Sequence, residues 1–307
     1  MKPVRPADLV PPESPRRLAI SRRGLFLGGL GAATLSGSAL AGYAGVEAAQ
    51  FLDITRYRLK PRSWPAGQRL TITVIADLHA GGPNMGLQRI RDIADAANAL
   101  RSDIVLLLGD FVATHRFVTE PVPAQVWAAE LARIKAPLGT HAVLGNHDWW
   151  FHQSEIRLAL AGANIALMEN DAVLLGEAGA RFWLAGLGDQ LAIPLGRGQF
   201  RGADDLPATL AKVATDDPVI LMAHEPDIFT RVPDRVALTL AGHTHGGQMR
   251  VPLIWPAFVP SRYGARFAYG HIAEGGRDLI VSGGLGTSVI PMRIGVPPEI
   301  VHVDLGG

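Results

Sequence analysis

The chain predicts an α/β fold in which two β-sheets form a sandwich with helices on the outside. Short apolar runs rich in β-branched residues alternate with segments whose apolar residues recur at spacings of three and four. The first pattern is typical of buried strands, and the second is typical of helices with one buried face. Because 48% of its 307 residues are hydrophobic, the chain can form one large domain with a sizeable core.

The elements follow one another in a regular order. Residues 70–76 and 103–108 are predicted strands, and residues 85–100 between them are a predicted helix with one apolar face. Further helices are predicted over 123–134, 153–161 and 206–213, and further strands over 140–144, 165–168, 172–175, 182–187, 219–222, 236–240, 279–282 and 299–303. Turn signals separate the three runs between residues 165 and 187, which favours antiparallel strands there. Residues 42–68 are expected to be a connector with room for one strand, ahead of the main domain over 69–307.

The first 41 residues are interpreted as a targeting segment. Residues 1–23 contain six basic and two acidic residues, and the pair Arg22 and Arg23 precedes an uncharged, glycine-rich stretch over 24–46. This pattern resembles a twin-arginine export signal, with Ala39-Leu40-Ala41 as a candidate match to the small-residue cleavage pattern. A membrane anchor over 24–46 is the alternative, although its seven glycines suit a lipid-facing helix poorly. We therefore expect export to the periplasm or cell envelope, with the twin-arginine translocase as a partner during export.

Charge and cysteine content restrict the remaining classes. Without residues 1–23, the chain has 23 basic and 26 acidic residues, a formal net charge of −3. That balance gives no electrostatic basis for nucleic acid as the main partner. The chain contains no cysteine, so disulfides and thiolate metal sites are impossible. Any metal ion must be held by nitrogen and oxygen ligands.

Five short polar blocks each follow a predicted strand. They are Asp77-Leu78-His79, Gly109-Asp110, Gly145-Asn146-His147-Asp148, His224, and Gly242-His243-Thr244-His245. Taken singly, each block is also explained as a turn or a helix cap. Ligands in open α/β sheets bind beyond the carboxyl ends of the strands, so these five strands would bring their polar residues to one place. Carboxylate, imidazole and amide ligands suit Mn, Fe or Zn ions.

In this order, the blocks resemble the calcineurin-like metallophosphoesterase family, whose pattern is Asp-x-His, Gly-Asp, Gly-Asn-His-Asp/Glu, His and Gly-His-x-His. The resemblance extends from about residue 70 to 305, and it implies a four-layer αββα fold and two divalent metal ions. It assigns one ion to Asp77, His79, Asp110 and His245, and the other to Asp110, Asn146, His224 and His243. Asp110 would bridge the ions, because a carboxylate can span ions about 3.5–4 Å apart.

The resemblance also implies a mechanism of direct hydrolysis. A hydroxide bridging the two ions would attack phosphorus in line, and the ions would neutralise the phosphoryl oxygens. His147 would be the general acid or cationic stabiliser at the leaving oxygen. Asp148, its neighbour in the sequence, is expected to orient the His147 ring.

The C-terminal region resembles the exported bacterial phosphodiesterase-like branch of the family. The resemblance rests on residues 243–248, 281–286, 291–293 and 297–300. It favours a phosphodiesterase or pyrophosphatase acting outside the cytoplasm, with envelope lipids or nucleotide-sugar lipids among the candidate substrates. The alternatives are a phosphomonoesterase and a metal-binding cell-envelope protein with little turnover.

Two aromatic segments have two interpretations each. The aromatic residues at 149–151 either pack the following helix against the sheets or form a wall of the substrate cleft. The segment 251–267 contains Trp255, Phe258, Tyr263 and Phe267, and it is either a lid over the site or a loop packed on the body.

Overall fold

A computed structural model of the protein describes residues 42–151, 153–250 and 259–307. The predicted targeting segment over 1–41 lies outside the described residues, as do Trp255 and Phe258. Residues Tyr43–Gly307 group into one unit by their contacts. Within the described ranges, no helix is long and apolar enough to cross a bilayer.

The first sheet contains strands from both ends of the described chain. Its members are β1 (Asp53–Leu59), β2 (Leu70–Ile75), β3 (Ile104–Leu107), β4 (Thr140–Ala142), β5 (Ala166–Leu167) and β14 (Glu299–Leu305). They lie in the order β1-β14-β2-β3-β4-β5, and only the β14–β2 pair is antiparallel. The expected connector over 42–68 therefore contributes β1 to this sheet. It also contains a helix over residues 42–50, here α1, which the sequence pattern did not indicate.

The second sheet is parallel at its centre and antiparallel at both edges. Its members are β6 (Asp171–Leu175), β7 (Phe182–Gly186), β10 (Val219–Met222), β11 (Val236–Ala241), β12 (Gly270–Glu274) and β13 (Arg277–Val281), in the order β12-β13-β11-β10-β7-β6. Strands β12 and β6 are the antiparallel edges. A separate hairpin consists of β8 (Ile193–Gly196) and β9 (Gln199–Arg201).

Helices pack on the outer faces of both sheets. The α-helices that follow α1 are α2 (Leu87–Leu100), α3 (Ala124–Leu131), α4 (Asn146–Trp150), α5 (Gln153–Gly162) and α6 (Leu206–Ala211). Helices α2, α3 and α5 bury Ile93, Trp127 and Leu160 in one cluster against the first sheet. A second cluster lies between the sheets, where Leu106 of β3 and Leu238 of β11 are fully buried. A third covers the outer face of the second sheet. These layers confirm the predicted two-sheet αββα architecture.

One predicted pairing is wrong. Residues 165–168 were expected to join an antiparallel group, but β5 pairs parallel with β4, with Ala166 opposite His141. Parallel neighbours need a long crossover, and α4 and α5 between β4 and β5 provide it. The predicted antiparallel pairing of the next two runs is confirmed by β6 and β7. Hairpin β8–β9 and strand β12 were not predicted.

Removing side-chain volume between the sheets should destabilise the fold. Leu238 is fully buried there, so we expect Leu238→Ala to lower the free energy of unfolding by about 2–5 kcal/mol. Leu158→Ala is the control, because Leu158 on α5 is 73% exposed and its change should stay within about 0.5 kcal/mol. Urea denaturation of both variants measures the difference. Equal stabilities would contradict the packing described.

Candidate metal centre

Strands of both sheets deliver polar residues to one location. Asp77, Asp110 and Asn146 follow the parallel strands β2, β3 and β4. His224 and His243 follow the parallel strands β10 and β11 of the second sheet. Six of the seven predicted ligands are buried: Asp77, His79, Asp110, Asn146, His224 and His245. His243 is half-buried. Buried polar groups at this density need partners or a cation to offset their lost hydration.

The candidate metal-ligating residues form two groups, called donor groups because they would donate electron pairs to an ion. The first group consists of Asp77, His79 and His245. One ligand atom from each lies within 4.8 Å of the others. The Nε2 atoms of His79 and His245 are 3.1 Å apart, and His245 Nε2 lies 3.9 Å from Asp77 Oδ1. Both imidazoles therefore point into the same small space as the carboxylate.

The second group consists of Asp110, His224 and His243, whose ligand atoms also lie within 4.8 Å of one another. His224 Nε2 is 3.2 Å from Asp110 Oδ2 and 3.2 Å from Asn146 Oδ1, so Asn146 adds an amide oxygen. Asp110 Oδ2 is also 3.6 Å from His79 Nε2 in the first group. The structure thus brings together all seven predicted ligands, with Asp110 between the two groups.

Two of the imidazoles are oriented by main-chain carbonyls. His79 Nδ1 donates to Val112 O at 3.1 Å, and His224 Nδ1 donates to Leu108 O at 2.6 Å. A carbonyl oxygen can only accept a hydrogen bond, so Nδ1 of each ring carries the hydrogen atom. The Nε2 atom of each ring then faces the other candidate metal ligands. This arrangement is common for metal-ligating histidines.

The electrostatics of the site favour a cation. Burial raises the pKa of Asp77 to about 7, because the cage offers its charged form little solvation. Burial also lowers the pKa of His79 to about 3, which keeps this imidazole neutral, as a metal ligand must be. Although burial opposes it, the Asp110 carboxylate raises the pKa of His224 well above its ordinary value. Imidazole nitrogens beside buried carboxylates fit divalent metal ions, and an ion bound by these residues would replace the extra proton of His224.

The main chain at the site is strained. Five of the ligand residues have φ between 46° and 69°, in the left-handed region: Asp77, His79, Asp110, His243 and His245. Each such residue costs on the order of 1–3 kcal/mol and persists only where its surroundings fix it. Gly145 shows how tight the packing is, because a Cβ there would lie 2.3 Å from Asp110 Oδ1 and 2.7 Å from His224 Cε1. The glycine of this block is thus required by the close approach of two ligands.

Asp148 does not contact His147 as expected. Its carboxylate accepts hydrogen bonds from the main-chain N–H groups of Phe111 (2.8 Å), Val112 (3.3 Å) and Gly145 (2.9 Å). Both residues lie in α4, and successive residues of a helix do not face each other. Asp148 therefore ties the loop after β3 to the loop after β4, and it fixes Asp110 and Asn146 relative to each other.

Thr114 is the partner of His147 in place of Asp148. The Thr114 hydroxyl contacts His147 Nδ1, and Ser288 Oγ lies 3.5 Å from His147 Nε2. The rings of His79 and His147 are 4.9 Å apart, so His147 stands beside the first group of donors. No motif pointed to Thr114, because the contact depends on the path of the loop after β3.

Arg293 is a buried cation that the sequence analysis did not assign. Its Nη2 lies 3.1 Å from His245 Nδ1, and its guanidinium donates to Gly286 O and Val296 O. Burial lowers the pKa of Arg293 to about 10, so it remains charged at neutral pH. Burial, His79 and this charge together hold the pKa of His245 well below its ordinary value.

Helix α1 supports the Arg293 loop. Glu47 is buried and accepts from Val296 N at 3.0 Å, and Arg293 N donates to Ala44 O at 3.0 Å. The helix that follows the predicted targeting segment is thus joined by hydrogen bonds to Arg293, which contacts the candidate ligand His245.

Two further acidic residues lie beside His224. Asp189, Glu225 and His224 place ligand atoms within 4.8 Å of one another. Burial, together with the Glu225 charge, raises the pKa of Asp189 to about 11. Asp189 is therefore protonated at neutral pH. The Asp189–Glu225 pair then carries one negative charge rather than two.

A cleft of about 1630 Å³ opens over the donor groups. Trp150, Tyr263 and His115 line it, whereas Trp149 packs against the core and Phe267 is buried. The interpretation of residues 149–151 as core packing therefore holds for Trp149, and the interpretation as a wall of the substrate cleft holds for Trp150. Hairpin β8–β9 also lines the cleft, although the sequence analysis did not include it.

Removing the shared carboxylate should reduce metal binding. Asp110 lies within reach of donors in both groups, so we expect Asp110→Ala to lower the bound Mn²⁺ from about two ions per chain to fewer than about one. Asp95→Ala is the matched control, because Asp95 is exposed on α2. Elemental analysis after dialysis measures the content. An Asp110→Ala protein that is folded and retains the full complement would show that Asp110 is not shared.

Comparison with known proteins identifies the same family that the sequence motifs resemble. Residues 70–247 match the calcineurin-like phosphoesterase family. The uncharacterized metallophosphoesterase YkuE of Bacillus subtilis (strain 168) is 27% identical over 290 residues, covering 92% of this chain and 95% of that protein. An uncharacterized metallophosphoesterase of Aquifex aeolicus (strain VF5) is 30% identical over 260 residues, covering 84% and 93%. Phosphodiesterase YaeI of Escherichia coli (strain K12) is 30% identical over 281 residues, covering 89% and 96%. The chain therefore belongs to the calcineurin-like phosphoesterases and is a metal-dependent phosphoester hydrolase.

Proposed function

We propose that the protein is a phosphodiesterase that uses two divalent metal ions and acts outside the cytoplasm. The observation that carries the two-ion part is the position of Asp110 Oδ2, which lies 3.6 Å from His79 Nε2 and 3.2 Å from His224 Nε2. One carboxylate thus faces a donor from each group, as a bridging ligand requires. The first ion would be held by Asp77, His79, Asp110 and His245, and the second by Asp110, Asn146, His224 and His243.

Different residues of the chain have separate roles around the phosphorus atom of the substrate. When bound, the ions would activate water and offset the charge of the phosphoryl oxygens. His147 stands at the edge of the donor groups and lines the cleft, so its Nε2 can give a proton to the leaving oxygen. The Thr114 hydroxyl can accept from Nδ1–H, which holds the ring so that Nε2 faces the cleft. Asp148 holds the loop that carries Asp110 and the loop that carries Asn146 in a fixed relative position.

The cleft favours a diester over a monoester. Its volume of about 1630 Å³ exceeds the roughly 300–1,000 Å³ of usual small-molecule sites. A diester or pyrophosphate has a substituent on each side of the phosphorus, and both can occupy such a cleft. The name of the relative YaeI, a phosphodiesterase, agrees with this preference. Envelope lipids and nucleotide-sugar lipids belong to this substrate class.

The proposed location rests on the sequence of the first 41 residues. Paired arginines precede an uncharged stretch, as in twin-arginine signals. That route carries folded proteins, which suits a protein that loads metal ions before export. N-terminal sequencing of mature protein from the periplasmic fraction tests this point. A protein found in the cytoplasm with Met1 at its N-terminus would contradict export.

A paired assay tests the reaction type. Purified protein loaded with Mn²⁺ should hydrolyse bis(p-nitrophenyl) phosphate with a kcat/KM at least about tenfold above that for p-nitrophenyl phosphate, a difference of about 1.4 kcal/mol in transition-state stabilisation. Metal-free protein should be inactive on both. A preference for the monoester would identify a phosphomonoesterase, and no turnover on either would favour a metal-binding envelope protein.

Removing His147 should separate catalysis from metal binding. His147 is assigned to no ion, so His147→Ala should keep its metal content while kcat falls by about 10²–10⁴-fold. Elemental analysis and steady-state kinetics on the same preparation give the two numbers. If metal content and activity fall in parallel, His147 is a ligand and its role is misassigned.

The Thr114 hydroxyl should be needed to position His147. Thr114→Val keeps the shape of the side chain but removes the contact with Nδ1, so kcat should fall by about 10–100-fold with unchanged metal content. Thr114→Ser keeps a hydroxyl and should retain most of the activity. Equal activity of the Val and Ser variants would show that the hydroxyl does not position the ring.

A further inference from the structure

An aromatic ridge runs outward from the proposed proton donor. The rings of His147 and Trp150 are 5.2 Å apart, and Trp150 stacks on Phe200 of β9 at 5.4 Å. Trp150 Nε1 donates to Leu191 O at 3.0 Å, which fixes the indole against the chain leading into hairpin β8–β9. All three rings line the cleft. Trp150 is nevertheless 41% exposed, so the ridge presents apolar surface to the cleft.

Aliphatic side chains extend this apolar surface. Leu195 on β8 lines the cleft and is 59% exposed. Ser288 Oγ lies 3.5 Å from His147 Nε2, and the next residue, Val289, lines the same cleft and is 72% exposed. Exposed apolar side chains that line one cleft commonly mark a binding site.

The Val289 backbone is an independent sign of function. Its φ of 64° lies in the left-handed region, where a β-branched residue is a genuine outlier. Such strain concentrates at ligand-binding sites, where the surrounding structure maintains it. Gln248 holds the main chain on both sides of Val289, because its Nε2 donates to Ser288 O and Ile290 O at 3.0 Å each. These contacts fix Val289 in a conformation that exposes its apolar side chain to the cleft.

We propose that Trp150, Phe200, Leu195 and Val289 form a subsite for an apolar leaving group of the diester. The inference rests on the proposed function, because His147 must stand at the leaving oxygen. The group attached to that oxygen then lies in the cleft near the ridge and residues 288–289, because Trp150 is next to the His147 ring and Ser288 is next to its Nε2. The four side chains offer it no charge, so this side of the substrate is recognised by burial of apolar surface. The subsite selects diesters by the apolar size of the alcohol or phenol that is released.

Two electronically matched substrates test the subsite. Methyl 4-methylphenyl phosphate and methyl 4-hexylphenyl phosphate release phenols of nearly equal acidity, so their chemistry is the same and only the apolar length of the leaving group differs. With Mn²⁺-loaded full-length protein, kcat/KM should be at least about tenfold higher for the hexyl ester, because each buried CH₂ contributes favourably. The double variant Leu195→Ala/Phe200→Ala should reduce this ratio to below about threefold.

Leu158→Ala is the matched control. Leu158 is an exposed leucine on α5 and does not line the cleft, so this variant should keep the wild-type ratio. Calorimetric binding of the product 4-hexylphenol gives a second readout without turnover: its affinity should fall in the double variant and stay unchanged in the control.

The outcomes separate the two proposals. A wild-type ratio near one, with normal hydrolysis of bis(p-nitrophenyl) phosphate, overturns the subsite and leaves the proposed function standing. A wild-type protein inactive on every diester overturns both. A ratio near one, accompanied by sedimentation with phosphatidylethanolamine vesicles that is lost in the double variant, would assign the apolar surface to a membrane and also overturn the subsite.

Discussion

The site depends on one buried carboxylate, that of Asp110. Its Oδ2 lies within 3.6 Å of a histidine nitrogen from each donor group, and its Oδ1 accepts from His147 N at 2.8 Å. The same side chain therefore connects both groups to the helix that carries the proposed proton donor. Although burial would raise the pKa of Asp110, the neighbouring histidines, His224 above all, hold it well below its ordinary value. Asp110 stays ionised in a site where burial raises the pKa of Asp77 to about 7.

The rest of the fold serves to hold Asp110 among its neighbours. Packing between the sheets brings the carboxyl ends of β2, β3 and β4 opposite those of β10 and β11. Asp148 ties the loops after β3 and β4, and the lack of a side chain at Gly145 lets them approach. Arg293 contacts His245 and is itself held by a hydrogen bond to α1. Strain in the ligand backbones is tolerated because these contacts fix each residue.

The sequence was sufficient to predict that the seven candidate ligands lie together, because each belongs to a short polar block that follows a strand, and strands are local patterns of apolar residues. Contacts that depend on tertiary packing could not be found in this way. Asp148 was placed next to His147 by proximity in the sequence, whereas helical geometry turns it toward the main chain. Hairpin β8–β9 was missed because Pro194 and Gly196 interrupt its strand pattern. The burial of Arg293 and its contact with His245 were not predicted, because nothing in the neighbouring sequence distinguishes a buried arginine from an exposed one.

Anomalous diffraction from crystals of Mn²⁺-loaded protein would show whether Asp110 joins two metal ions. We expect two anomalous peaks about 3.5–4 Å apart on either side of the Asp110 carboxylate. One peak should contact Asp77, His79 and His245, and the other should contact Asn146, His224 and His243. A single peak confined to one group, or two peaks without Asp110 between them, would show that Asp110 does not bridge two ions.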